Sequence, residues 1–245
     1  MIKIHKQPPP KELVDLKAEA ANRHLSPDDA YRLLVNPLKN SVMQQLMVEQ
    51  GHLCAYCMRQ LPDDRTMPET VAKVSIEHWY PRNPPNGNDV GQGLDYQNML
   101  AVCSGNRGDR HEHRRRSALT CDARRKDGGI LTVNPLDENT LTTIYYTSDG
   151  EIGATDKTIH DDLTIQLNLN CRKETVKLPE ERKSVLDNLQ NTVYEIPETE
   201  RLEFCRFLLQ RYEEEMDPKT PYVGIILWWL KDFLNTQQKA SLSSH

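Results

Sequence analysis

The feature that most constrains this chain is Cys54-Ala55-Tyr56-Cys57, which sets two thiols on one tight turn. At that spacing both sulfurs reach a single tetrahedral zinc ion, with bonds of about 2.3 Å. Two more cysteines, Cys103 and Cys121, fall in the same central stretch, whereas Cys171 and Cys205 lie in stretches with helical patterning and are expected to pack. Residues Met1 to Pro10 lack the apolar core of a signal peptide, and no apolar run reaches the roughly 18 residues of a membrane span. A cytoplasmic location is therefore expected, where reductants keep thiols free and a disulfide framework is disfavoured. No βαβ pattern stands near the CxxC to favour a redox motif, so metal binding is the leading reading. Ser104, Gly105 and Asn106 follow Cys103, which breaks a simple second CxxC. Cys121 is favoured as the fourth ligand, with the chain from Asn106 to Thr120 looping out, and His111 or His113 is the alternative.

The 245 residues suffice for a sizeable core, and a formal net charge of -5 means that any nucleic-acid site is a local basic patch on an acidic body. Helices are expected over Glu12 to Arg23, Pro27 to Val35 after the N-cap Ser26, and Ser41 to Gln50 ending at Gly51. β-Branched residues predict a strand over Val71 to Ile76, then a loop from Pro81 to Gly93 and ordered structure from Leu94 to Val102. Strands are also expected over Ile130 to Val133 and Leu141 to Thr147, the latter turning at Ser148-Asp149-Gly150 into a return strand through Glu151 and Ile152. The remainder reads as helices over Asp156 to Asn170, Pro179 to Thr192, Pro197 to Glu215 and Pro221 to Thr236. The adjacent Trp228 and Trp229 of the last helix cannot share one face. The chain thus divides into an N-terminal helical segment 1–50, a cysteine-bearing core 51–137, and a strand hairpin followed by a helical region 138–245. The fold class is α+β, predominantly α.

Glu77-His78 follows the predicted strand and stands between the cysteine pair and Asn98-Met99-Leu100, with Cys103 shortly beyond. A lone histidine is usually structural, but this one lies inside a metal-bounded segment. In the order and spacing of Cys54, Cys57, Glu77, His78, Asn98 and Cys103 the sequence resembles the zinc-containing branch of the HNH endonucleases. The longer run through Asn106-Arg107-Gly108, Cys121-Asp122 and Asn134-Pro135-Leu136-Asp137 resembles the HNH proteins of retron and Septu antiphage systems. The resemblance spans roughly Gly51 to Asp137.

The resemblance implies a zinc-stapled ββα-metal core in which His78 is the general base for water attacking a phosphodiester. A neutral imidazole suits that task because it titrates near physiological pH. Glu77 and Asn98 would help hold a catalytic Mg²⁺ or Mn²⁺, and Cys54, Cys57, Cys103 and Cys121 a structural zinc. At the third HNH position this chain departs from the pattern, since Asp122 follows Cys121; Asp122 is a reasonable replacement, with His111 or His113 as alternatives. Arg107, Arg110, Arg114, Arg115, Arg116, Arg124, Arg125 and Lys126 concentrate positive charge beside these residues, a pattern that suits phosphate contacts. A solvated charged loop is the plainer reading of the same run. The implied function is a toxic nuclease effector of antiphage defence, cutting DNA by default or an RNA such as tRNA. Its implied partners are an ATPase and, for a retron, a reverse transcriptase with its RNA–DNA. No GxxxxGK loop occurs in the chain, so nucleotide dependence would come from such a partner. The rival expectation is a non-catalytic zinc-stabilised nucleic-acid-binding module.

Overall fold

The computed structural model describes residues 1–62, 74–82, 92–105, 116–125, 129–173 and 176–243. Helices dominate, and the sheets among the described residues are three antiparallel pairs. The N-terminal segment forms α1 (Lys11–Asn22), α2 (Pro27–Arg32) and α3 (Leu38–Glu49). In α2 the Ser26 hydroxyl accepts the Asp29 N–H at 3.2 Å, the N-cap that its sequence signalled, but the helix stops at Arg32 rather than Val35. Val42 and Leu46 of α3 lie one turn apart on its buried face, so the helix is held chiefly by packing.

The centre of the chain is the pair β1 (Ser75–His78) and β2 (Met99–Val102), with Ser75 opposite Val102 and His78 opposite Met99. Of the predicted strand Val71 to Ile76, residues 71–73 lie outside the described residues. Glu77 and His78 are strand residues themselves rather than the start of a loop. All four residues of β2 are buried, as expected of a strand covered on both faces. One turn of helix, α4 (Cys121–Arg124), follows.

Ile130 to Val133 does not form the expected strand. Its backbone groups find side chains instead: the Asp162 carboxylate accepts the Thr132 and Val133 N–H groups at 2.6 and 3.0 Å, and the Trp79 indole donates to the Val133 carbonyl at 2.8 Å. A β-branched run with those partners has no need of a neighbouring strand. The hairpin β3 (Ile144–Tyr146) and β4 (Ile152–Ala154) forms as predicted. The helix expected over Asp156 to Asn170 is shorter: α5 (Lys157–Asp161) runs into a π-helical turn, Asp162–Gln166, that turns Asp162 inward. Cys171 precedes a small hairpin, β5 (Arg172–Lys173) with β6 (Val176–Lys177), that the helical reading of this stretch missed.

The last three helices are α6 (Leu178–Tyr194), α7 (Glu198–Glu214) and α8 (Val223–Ser243). Cys171 and Cys205 are buried, in keeping with packing roles. Trp229 stacks on Phe233 at 5.2 Å, whereas Trp228 leans on Tyr146 of β3 at 6.0 Å, so the adjacent indoles serve different contacts. Side chains from all three segments meet in one core that includes Leu46, Leu100, Leu186 and Ile225. Among the described residues no helix is long and apolar enough to cross a membrane.

Candidate metal centre and the adjoining acidic pair

Beyond α3 the chain doubles back through a bridge between Leu53 and Gln60, and Cys54 and Cys57 sit in the tip of that turn. The turn is closed by two bonds, Cys54 N–H to the Arg59 carbonyl and Met58 N–H to the Cys54 carbonyl, each 2.9 Å. Cys103 follows β2 directly. Cys121 is brought back by Gly105, whose φ of +54° and missing side chain let the Thr120 carbonyl close in; a Cβ there would lie 2.1 Å from that oxygen. The Thr120 N–H donates to the Gly105 carbonyl at 3.1 Å and completes the closure.

The four sulfurs lie within 4.8 Å of one another and all four cysteines are buried and unpaired in disulfides. The Cys54–Cys121, Cys57–Cys103 and Cys103–Cys121 sulfur separations are 3.9, 3.8 and 3.7 Å. A tetrahedron with zinc–sulfur bonds of about 2.3 Å has edges of about 3.8 Å, so the thiols stand where such an ion would hold them. Burial would raise the Cys54 thiol, but hydrogen bonds from the other three sulfurs outweigh it and hold it well below the ordinary range. Four close thiols can thus hold a metal ion such as zinc, and among the described residues Cys121 is the fourth member of the set. Among the described residues this is the one grouping of three or more His, Cys, Asp or Glu able to share an ion. His111 and His113 lie outside the described residues.

The same turns aim other side chains at β1. Tyr56, between the two cysteines of the turn, donates its hydroxyl to Glu77 Oε1 at 3.3 Å. Asp122, next to Cys121, adjoins the Glu77 carboxyl closely enough to raise it. Burial and that adjoining carboxylate push Glu77 up to about 8, against the pull of Arg125. The Arg125 guanidinium bonds Glu77 Oε1 at 2.6 Å, the His78 carbonyl at 3.1 Å and the Trp79 carbonyl at 2.7 Å.

His78 is buried, and its Nε2 lies 3.0 Å from the Gly93 carbonyl. A carbonyl only accepts, so Nε2 carries the proton and Nδ1 the lone pair. Gly93 can approach because it has no side chain: a Cβ there would lie 2.0 Å from the Pro27 carbonyl at the start of α2. Tyr31 of α2 sets its ring edgewise to the imidazole at 4.8 Å, and Arg82 lies over the Tyr31 ring while pairing with Asp28 at 2.8 Å. Burial foremost, and then the nearby Arg82 charge, lower His78 to about 4, although the Gly93 bond opposes the shift. The imidazole is therefore neutral at pH 7. The sequence reading did not anticipate Tyr31, Arg82 or Gly93, whose relation to His78 exists only once α2 docks.

Asn98 takes a different place from the metal ligand expected of it. Its side-chain oxygen accepts the Tyr80 N–H at 2.7 Å and its amide donates to the Tyr80 carbonyl at 2.9 Å, so both ends clamp the chain just beyond His78. Part of the basic run is described. Arg107, Arg110, Arg114, Arg115 and Lys126 lie outside the described residues, and Arg116 opens the turn Arg116–Ala118. Arg124 Nε is 3.3 Å from the Ile165 carbonyl. Arg125 is not the phosphate contact expected of it, because its side chain is only 5% exposed and its donors face the protein. Comparison with known proteins adds no assignment: no family model matches the chain, and no curated protein matches its sequence.

Proposed function

We propose that this protein is a metal-dependent HNH-type nuclease that hydrolyses phosphodiester bonds. The observation that carries the reading is the Glu77–Asp122 carboxyl pair, tied to a four-cysteine cluster through Tyr56 and next in the chain to a buried imidazole of defined tautomer. Glu77 is buried and Asp122 is partly so, and two adjoining carboxyls repel when both are ionised unless something positive or a proton sits between them. A hard divalent cation suits such a pair, because magnesium binds through one or two carboxylates and takes its remaining ligands from water and phosphate. Glu77 and Asp122 are the residues that would hold it. Asn98 supports the site through the Tyr80 backbone. When bound, the ion would neutralise phosphate charge and stabilise the leaving oxygen.

His78 is the general base in this reading. Its Nδ1 is free of the Gly93 bond and is the nitrogen that would take a proton from water; burial keeps it unprotonated at neutral pH but makes it a weaker base than an imidazole that titrates near physiological pH. Zinc at Cys54, Cys57, Cys103 and Cys121 serves structure, its softer thiolates separated from the oxygen donors by ligand type. The basic residues Arg107 to Arg116 and Arg124 supply the nucleic-acid contacts expected of that run. Service as an antiphage effector beside an ATPase, or with a reverse transcriptase and its RNA–DNA, rests on the resemblance of the sequence alone.

The test is cleavage of labelled DNA, total RNA and tRNA in magnesium or manganese, by the purified chain alone and with its co-expressed ATPase. His78→Ala is expected to retain zinc and lose metal-dependent cleavage. Unchanged cleavage by that variant would remove the mechanism, and a chain that binds nucleic acid without cutting it in any metal would favour the non-catalytic binding module.

A further inference from the structure

We infer that Arg125 is a positioning residue that locks the end of β1, holding the Glu77 carboxylate and the His78–Trp79 backbone in the geometry that catalysis needs. This rests on the nuclease reading above. A guanidinium has five N–H donors. Arg125 makes five contacts inside the protein: Glu77 Oε1, the His78 and Trp79 carbonyls, and the Gly129 carbonyl through both Nε and one terminal nitrogen. None is left for a phosphate. Three successive residues of one strand end, Glu77, His78 and Trp79, are thus tied to a single planar group. That plane fixes where the Glu77 carboxylate points and the path of the chain that carries the imidazole.

The placement of Arg125 gives this lock an origin. It stands four residues beyond Cys121 and ends the turn of helix that starts at that cysteine. Tyr56, inside the Cys54–Cys57 turn, donates to the same Glu77 oxygen. The two halves of the cysteine cluster therefore each send one arm to Glu77, and a metal that rigidifies the cluster rigidifies the carboxylate. Lysine cannot replace arginine here, because one ammonium cannot span a carboxylate and three carbonyls at once.

The experiment compares full-length wild type, Arg125→Lys and Arg125→Gln, each first checked for zinc content and melting temperature. The first readout needs no substrate: hydrogen exchange of the Trp79 and Tyr80 amides, which donate to the Asn98 carbonyl and to Asn98 Oδ1. Both variants are expected to speed exchange there while leaving the Cys54 amide protected and zinc bound. The second readout is steady-state cleavage, with kcat expected to fall about 10- to 100-fold. KM for the nucleic acid and its salt dependence should stay as in wild type, since no phosphate contact has been removed. Unchanged exchange, or a raised KM with a flatter salt dependence and kcat retained, would overturn the assignment in favour of a phosphate-binding arginine. If Arg125→Gln fails to fold, Arg125→Lys carries the same readouts with the charge kept. A wild type that cuts nothing in any metal counts against the nuclease reading, while the exchange measurement still decides whether Arg125 locks the strand end.

Discussion

The imidazole Nε2 of His78 lies 3.0 Å from the Gly93 carbonyl, and the glycine is admitted to that position by the absence of a side chain facing Pro27. Gly93→Ala would set a methyl group 2.0 Å from the Pro27 carbonyl, so the loop must withdraw and take its carbonyl with it. On the proposed nuclease reading, a base displaced by an ångström costs about 10²-fold in rate, and a loss of that order is expected for metal-dependent cleavage by this variant. Imidazole ¹⁵N shifts would report the loss of the fixed tautomer in the same sample. Wild-type cleavage with an unchanged tautomer would show that Gly93 does not orient the base.

The buried His78 also makes stability depend on pH. Its value is lowered to about 4 in the folded protein from 6.5 ordinarily. Between those limits the unfolded chain is protonated at this residue and the folded protein is not. Protons are therefore taken up on unfolding, and stability falls as pH drops through that window, by up to roughly 3 kcal/mol for this one group. Denaturant midpoints measured from pH 7 to pH 4 should fall more steeply for wild type than for His78→Asn. Parallel curves would mean that the imidazole is solvated in the folded protein.

The cysteine cluster predicts about one zinc per chain. Structural zinc sites have apparent binding free energies of about 10 kcal/mol or more, comparable to the whole stability of a domain. Cys121→Ser is therefore expected to lose zinc and melt far below wild type. Cys171→Ser is the control, because that buried sulfur lies against the Ser117 and Ala118 carbonyls, away from the cluster, and should leave zinc content intact. Metal analysis and thermal melting of the two variants decide the matter; equal zinc in both would sink the four-thiolate site.

Asp162 replaces a strand partner for the segment Thr132–Val133, accepting both backbone N–H groups. Asp162→Ala strands the buried Val133 N–H, at about 1–3 kcal/mol for a buried unsatisfied group, and leaves the part-buried Thr132 N–H to water, whereas Asp162→Asn keeps one acceptor oxygen. The alanine variant should therefore be destabilised by about that amount and the asparagine variant by less. Equal denaturant midpoints for the two would indicate that water satisfies these amides.

Much of the local structure was legible. Ser26 with proline and two aspartates announced α2, the turn after Thr147 announced the β3–β4 hairpin, and Pro179, Pro197 and Pro221 announced the long C-terminal helices. These signals are local: a cap, a turn or a proline acts within a few residues. Ile130 to Val133 shows where locality misleads, since β-branched residues favour extension but cannot specify whether a strand or a carboxylate receives the backbone donors.

The candidate site divides along the same line. By itself the sequence determined the donor chemistry: four thiols able to hold a soft ion, together with two carboxyls and an imidazole. Only the tertiary structure decided which of them meet. Arg125 stands in a basic run with Arg124 and Lys126, and nothing in that run marks it as a residue whose charge is buried. A guanidinium becomes an internal clamp when carbonyls and a carboxylate surround it, and those come here from β1 and from Gly129. In the same way His78 is a surface base or a buried neutral one according to whether α2 and Gly93 close over it, and that depends on packing between segments far apart in the chain.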